Sequence, residues 1–443
     1  MCAIAGAPSK EDVVRMLELM RHRAPDDAGT FQDERFTMGM GRLKIIDLIS
    51  NDLCPITHKG LTLTFNGEIY NYIDLREELK KIGHTFKTSS DTEVLLVAYI
   101  EWNEGCLDKL NGMFAFAVND GQSIFLARDI AGEKPLYYSL NASGEFKFAS
   151  EAKALGFACQ ELPPAHSARF HFDKKTLDIR KWWQFTPKER DIDFESALKE
   201  LDTILADSVR LRTRSDVSYG LYFSGGIDST LISTYHNFSN QFTYQDGDYQ
   251  KEFREIFPKI LWHLDYPVST FSPFGLWKLA EEARSKNVKV VLSGEGADEL
   301  FGGYVRYVPN EFNRLGRNKF PSYTKVFPHR DMLWEEFNGN MRELLRMGDR
   351  MASAWGVENR CPFLDRRIIE FAFTLPMSYK IRGLETKVIL CELLKRRMPE
   401  YKFQEKHGLF CSVNKWLNAP DEGFDKTTYH EYQEKIWSTF KDM

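Results

Sequence analysis

The chain has 443 residues, 43% of them hydrophobic and 28% charged, with a formal net charge of −5; that length exceeds one ordinary core and predicts two domains, and the acidic balance excludes a nucleic-acid binder driven by bulk charge. Seven scattered cysteines form no CxxC pair or Cys/His cluster of a zinc site. No run of about 18 apolar residues is available to span a membrane, and the opening MCAIAGAPSKEDVV is too short an apolar stretch for a signal peptide, so a reducing, cytoplasmic compartment is expected.

In chain order, residues 1–185 read as strand-rich. Short apolar or alternating runs predict strands at Leu61–Phe65, Met113–Val118, Ile124–Ala127 and Glu145–Phe148. Turn signals punctuate them at Asn66-Gly67, Asn111-Gly112, Asn119-Asp120-Gly121 and Asn141–Gly144. Amphipathic spacing predicts helices at Lys10–Met20, Asp74–Lys81 and Thr92–Trp102, and hence an α+β layered domain. Trp182–Asp193, with Pro187 and mixed charges, reads as a linker. From residue 194 to 443 the pattern changes. Phe194–Arg212 is a long amphipathic helix. Tyr219–Phe223 is a buried strand followed by a Gly-Gly turn and a helix from Ile227. Lys289–Leu292 repeats the scheme, with Asp298-Glu299-Leu300 opening the next helix. Strand–turn–helix units of this kind predict an α/β domain with a parallel sheet.

Cys2 follows Met1. If Met1 is removed, Cys2 carries both a thiol and an α-amine whose reference pKa is about 7.7–8.0, so nucleophile and base lie in one residue. Around it in sequence stand Arg21-His22-Arg23-Ala24-Pro25-Asp26, Gly41-Arg42-Leu43, Asn66-Gly67-Glu68-Ile69-Tyr70-Asn71, Ser90-Asp91-Thr92-Glu93, GMFAFAV and RDIAGEKPLYY. In order and spacing these resemble the class II, N-terminal-nucleophile glutamine amidotransferases, and the match covers nearly all of residues 1–155. The resemblance implies a layered αββα fold and a glutamine site. Arg42 would hold the glutamine carboxylate by a bidentate pair. Asp91 and the Gly67-Glu68 segment would take the ammonium. Asn66 and the Gly67 N–H would form the oxyanion hole around the tetrahedral intermediate. Taken singly, Arg42 or Asp91 reads as a surface charge; only the set points to glutamine. Ala24 stands where the family has glycine.

Ser224-Gly225-Gly226-Ile227-Asp228-Ser229 lies between an apolar strand and a helix. Glycines let backbone amides crowd an anion, and a helix N-terminus adds positive potential. No GxxxxGK[ST] is present. The loop resembles the pyrophosphate loop of adenylating ATP pyrophosphatases. VVLSGEGADELFGGY at 290–304 is close to the signature of asparagine synthetases, as are Trp355–Glu358, Cys361–Asp365, Lys387 and Lys406-His407-Gly408. The resemblance implies ATP and Mg2+ as cofactors. Ser224, Gly225, Gly226, Ser229 and Lys387 would hold the phosphates, and Asp228 the magnesium. Glu295 would receive a proton from ammonia or position it, and Glu295 with Asp298 would face the acceptor. Glu358 and Asp365 read as structural. Ammonia released at Cys2 would need a protected route between the domains.

Departures from the family bear on the acceptor. Phe242–Pro258 stands in place of a longer strand–helix–strand passage that usually supports the adenine pocket. Tyr266 replaces a usual Glu in Trp262–Pro267, and Ser269–Pro273 also differs. The leading expectation is glutamine- and ATP-dependent amidation of aspartate, with glutamine, ATP and the amino acid as partners, no nucleic acid or membrane, and a homodimer among the expected assemblies. Amidation of another carboxylic acid by a specialised relative is the second reading, and a non-catalytic regulatory relative the third. Retention of Cys2, Asp228, Glu295, Asp298 and Lys387 argues against the third. For an α-carboxylate, Lys406 and Arg306 are the candidate cations.

Overall fold

The computed structural model describes residues 1–50, 53–304, 307, 330–403, 409, 411–417 and 426–441. The chain divides into two compact units. The first holds Met1–Gln184, Arg214–Ser218 and Ser353–Glu358. The second holds Phe185–Thr213, Tyr219–Ala352 and Asn359–Met443.

The first unit is built on twelve strands: β1 (Cys2–Ala7), β2 (Asp27–Gln32), β3 (Thr37–Arg42), β4 (Ile56–His58), β5 (Leu61–Ile69), β6 (Gly112–Asn119), β7 (Ser123–Arg128), β8 (Tyr137–Leu140), β9 (Phe146–Ala149), β10 (Gln160–Glu161), β11 (His166–His171) and β12 (Thr176–Lys181). They form two six-stranded sheets, ordered β10-β8-β9-β1-β3-β2 and β12-β11-β7-β6-β5-β4. Helix α1 (Lys10–Leu19) accompanies the first sheet, and α2 (Tyr72–Lys81) and α3 (Asp91–Trp102) the second. The period-2 alternation of a strand explains the layering. Along β1, Cys2 and Ile4 enter a core shared with Phe65, Phe116 and Phe148. Ala3, Ala5 and Ala7 face the other way, against Val13, Met16 and Met20 of α1 and its end. The order is therefore helix, sheet, sheet, helix: the expected αββα architecture.

The predicted strands and helices of this unit all form, most with longer ends; α1 stops one residue short of Met20, and the strand expected at Glu145–Phe148 is shifted by one residue to Phe146–Ala149. One turn assignment is overturned. Asn66-Gly67 lies in the middle of β5, paired with Ala115 and Phe114 of β6. Gly67 has φ +152, and a Cβ there would sit 2.0 Å from the Met113 carbonyl oxygen. The Asn-Gly pair marks a special backbone inside a strand, where the same residues more often make a hairpin turn.

The second unit contains a four-stranded sheet ordered β14-β13-β15-β16, where β13 is Tyr219–Tyr222, β14 Gln241–Phe242, β15 Val290–Leu292 and β16 Glu358–Arg360. β13 runs parallel to both β14 and β15. Around it pack α4 (Phe194–Arg212), α5 (Ile227–Ser233), α6 (Gln250–Leu264), α7 (Ser272–Ser285), α8 (Ala297–Phe301), α9 (Arg330–Asn338), α10 (Asn340–Ala354), α11 (Arg366–Thr374) and α12 (Val388–Arg397). α4 starts where predicted because Asp193 caps it, accepting from the Ser196 N–H at 2.9 Å. The segment after β14 forms neither helix nor strand up to residue 249 and is then helical as α6, with Pro258 inside the helix. Among the described residues no helix is long and apolar enough to cross a membrane, and none of the seven cysteines forms a disulfide.

Candidate active site

In the first unit the predicted glutamine-site residues are drawn together by strand pairing. Cys2 and Arg42 are register partners across β1 and β3. The Cys2 backbone N–H donates to Asn66 Oδ1 at 2.9 Å. That bond orients the Asn66 carboxamide and leaves Nδ2 buried without a hydrogen-bond partner. A buried donor left unmade is costly, on the order of 1–3 kcal/mol, unless something absent from the protein alone accepts from it. Glu68 follows in the same strand and is buried. Asp91, at the start of α3, accepts from the Ile69 N–H at the strand's end (3.0 Å).

Arg42 is more committed than expected. Its Nη2 donates to the Ile46 and Asp47 carbonyls, both at 2.7 Å, and Nη1 to the Ser50 carbonyl at 3.1 Å. The guanidinium thus ties down the loop at residues 46–50, while its backbone stands beside Cys2 in the sheet. Ala24 has φ −138, so no left-handed backbone requires the family's glycine there.

The expectation that Cys2 carries its own base applies to the chain without Met1, and Met1 is present here. The Cys2 nitrogen is then a peptide amide. The terminal ammonium sits on Met1 and is paired with Glu358 Oε2 at 2.6 Å, both groups fully buried. Burial raises the Cys2 thiol pKa; the terminal ammonium, the Leu43 N–H and Arg42 pull the other way and do not overcome it. Arg23, to which no role was assigned from sequence, is fully buried and holds the site from beneath. Its Nε donates to the Cys2 carbonyl (3.2 Å) and its Nη1 to Glu151 (2.9 Å). Its place in the Arg21-His22-Arg23 run gave no sign of burial, since arginine is mostly a surface residue.

In the second unit the predicted phosphate-site residues meet at the ends of β13 and β15. Ser224 and Ser229 hydroxyls are 3.1 Å apart, and the Gly226 N–H donates to Ser224 Oγ at 3.3 Å. Gly225 takes φ +72, which glycine adopts without penalty, and its carbonyl accepts from the Tyr401 hydroxyl at 2.8 Å. Lys387 caps α12 and is nearly completely buried. Its Nζ is 2.6 Å from both Asp228 oxygens and 2.8 Å from Asp298 Oδ1. Burial alone would lower the ammonium's pKa; the two carboxylates outweigh it and raise it. Asp228 and Asp298 therefore converge on one point now filled by a lysine. Among the described residues no cluster of three or more His, Cys, Asp or Glu side chains could hold a metal ion. Two converging carboxylates nevertheless suit Mg2+, which takes one or two carboxylates and completes its shell with phosphate and water.

Glu295, after β15, accepts from Asn359 Nδ2 at 3.0 Å and lies 3.5 Å from Cys361 Sγ. Three carboxylates here are each backed by a glycine. A Cβ on Gly294 would come 2.7 Å from Asp228 Cβ, on Gly303 1.9 Å from Asp298 Oδ1, and on Gly348 2.8 Å from Glu295 Oε1. Asp365 and Glu358 are both fully buried and ion-paired, Asp365 with Arg212 at 3.1 Å. Tyr266 has the Arg346 guanidinium 3.4 Å above its ring, a cation the sequence did not single out because it stands far away in the chain. Lys406-His407-Gly408 and Arg306 lie outside the described residues.

Comparison with known proteins agrees in both halves. Residues 1–183 match the glutamine amidotransferase domain model, and residues 200–243, 249–342 and 322–428 match the asparagine synthase model. Asparagine synthetase [glutamine-hydrolyzing] 1 of Bacillus subtilis is 30% identical over 93% of this chain and 85% of its own length. Number 3 of the same organism is 28% identical over 90% and 85%. Asparagine synthetase [glutamine-hydrolyzing] 2 of Arabidopsis thaliana is 29% identical over 86% and 70%. With a layered amidotransferase fold in one unit and a parallel α/β sheet in the other, the chain belongs to the glutamine-hydrolysing asparagine synthetase family of ATP-dependent carbon–nitrogen ligases.

Proposed function

We propose that the protein hydrolyses glutamine at Cys2 and uses the ammonia to amidate the side-chain carboxylate of aspartate through an acyl-adenylate, releasing AMP and pyrophosphate. The observation that carries this reading is the meeting of Lys387, Asp228 and Asp298 beside the Ser224–Ser229 loop, three sequence-distant charges gathered where open parallel sheets bind ligands.

In the first unit the Cys2 sulfur attacks the glutamine carboxamide carbon. Asn66 Nδ2 and the Gly67 N–H hold the oxyanion. The C–N bond breaks, ammonia leaves with the added proton, and water hydrolyses the thioester to glutamate. Arg42 holds the glutamine carboxylate; Glu68 and Asp91 hold its ammonium. In the second unit an aspartate oxygen bonds to the α-phosphorus of ATP as the bond to pyrophosphate breaks. Lys387 and the Ser224–Ser229 loop hold the phosphates. Asp228 and Asp298 would carry Mg2+, which supplies charge neutralisation on pyrophosphate when bound. Ammonia then forms the C–N bond, the C–O bond to AMP breaks, and Glu295 takes the extra proton. Tyr266 beneath Arg346, where relatives carry Glu, favours as second reading a different carboxylic acid acceptor.

Incubation with ATP, Mg2+, glutamine and aspartate should yield asparagine, AMP and pyrophosphate in equal amounts. ADP and phosphate as products would refute the adenylate route. Turnover of another carboxylic acid without aspartate turnover would move the assignment to the second reading.

A further inference from the structure

Around Glu295 the second unit buries polar atoms that the reaction scheme has not used. Tyr222 ends β13, Glu295 follows β15 and Asn359 lies in β16, three neighbouring strands of one sheet. Asn359 spends its Nδ2 on Glu295, which leaves its Oδ1 buried with no hydrogen-bond partner. The Tyr222 hydroxyl is likewise buried and without a partner. Burial raises the pKa of that phenol, and the nearby Glu295 charge raises it further, so the hydroxyl keeps its proton and faces the carboxylate's field. Tyr222 is 9% exposed and Asn359 6%. On the far side the backbone of α10 closes in, since a Cβ on Gly348 would come 2.8 and 2.9 Å from the two Glu295 oxygens and 3.2 Å from Asn359 Nδ2.

A buried amide oxygen and a buried phenol, both without partners beside one carboxylate, make a costly arrangement in the protein alone. A ligand that satisfies it must be small and rich in N–H donors. Ammonia has three N–H groups, and the site offers three kinds of oxygen: carboxylate, amide carbonyl and phenol. Occupying all three N–H groups leaves the nitrogen lone pair pointing away from them. We propose that Tyr222 and Asn359, together with Glu295, form a reception site that holds ammonia, or ammonium before it loses its proton, in the synthetase unit. Tyr222 and Asn359 are positioning residues; the inference rests on the proposed function for the use of that ammonia, and on the buried polar atoms for its place.

The test uses the full chain and the variants Y222F and N359A. With ammonium chloride as nitrogen source, the KM for ammonium should rise about tenfold in each variant, as expected for loss of one buried hydrogen bond. The turnover at saturating ammonium and the aspartate-dependent exchange of pyrophosphate into ATP should stay within about twofold of wild type. An unchanged ammonium KM in both variants, or a fall in exchange as large as the change in KM, overturns the proposal. A second measurement does not need turnover. Ammonium chloride should raise the wild-type melting temperature saturably above sodium chloride at equal ionic strength, and in Y222F and N359A the same rise should need about tenfold more ammonium. No ammonium-specific rise, or an equal rise with potassium, overturns the site. If wild type cleaves no ATP with any acceptor, the proposed function fails while the melting series still decides this inference.

Discussion

Asn66 does two jobs with two atoms, and they can be separated. Its Oδ1 anchors the Cys2 N–H while its buried Nδ2 waits for a partner. Asn66→Asp keeps the acceptor and deletes the donor. Glutaminase activity should fall about 10²–10³-fold, the usual cost of losing one oxyanion donor, with ammonia-dependent synthesis retained. Equal loss of both activities would show that Asn66 acts only through folding. A second residue reports on pH. Glu299 is buried beside Asp298 and hydrogen-bonded by the Tyr304 hydroxyl. Desolvation and then the Asp298 charge raise its pKa from 4.5 to about 7. The folded state therefore binds this proton more tightly than the unfolded chain. The stabilisation is complete below about pH 4.5 and is lost as pH rises to about 7, a span on the order of 3 kcal/mol. Glu299→Gln, which keeps an acceptor for Tyr304, should flatten the decline in unfolding free energy over that window. Parallel pH profiles for variant and wild type would exclude Glu299 as its source.

At the scale of elements, caps and buried pairs decide where helices stand. Asp365 caps α11 through the Arg367 N–H (3.0 Å) and pairs with Arg212 of α4 at 3.1 Å, deep in the second unit. Asp365→Ala strands the Arg212 charge and should cost roughly 3–5 kcal/mol. Chemical denaturation should show this loss; a change under about 1 kcal/mol would mean that Arg212 finds another acceptor. The elements also show what could be read beforehand. α4 was legible from its amphipathic periodicity, and β6, β7 and β9 from apolar runs punctuated by the turn signals Asn119–Gly121 and Asn141–Gly144. β1, β2 and β3 were missed because small residues such as Ala3, Ala5, Gly39 and Gly41 line them, giving no strong alternation of bulk. Pro258 reads as a helix breaker, yet it sits inside α6, where buried Phe253, Phe257 and Ile260 outweigh the missing N–H. The charged groups of the site were legible as motif members. Arg23, Arg346, Tyr222 and Asn359 were not, because their roles come from burial and contact rather than from residue type.

At the scale of the whole molecule, the proposed function assigns separable chemistry to the two units. Cys2→Ala should abolish glutamine-dependent synthesis and leave ammonia-dependent synthesis largely intact. Asp228→Ala should do the reverse to the half-reactions, removing ATP-to-pyrophosphate conversion by about 10²–10³-fold or more while glutamine hydrolysis continues. Paired assays of glutamate and pyrophosphate release would check this. Loss of both products in either folded variant would contradict separate sites. A last consequence follows from Gly294, Gly303 and Gly348, which stand directly behind Asp228, Asp298 and Glu295. A Cβ at any of the three would press on these acidic side chains, so main chain backs them in addition to the side chains of Lys387 and Asn359 that hold their carboxylates. In a saturation mutagenesis screen scored by the proposed ATP-to-pyrophosphate conversion, even alanine at these three positions should be rejected as strongly as loss of the carboxylates themselves. An exposed glycine with open space around it and no left-handed backbone, such as Gly105, should accept alanine more readily. The map of tolerance would then outline the synthetase centre through residues that carry no functional group at all.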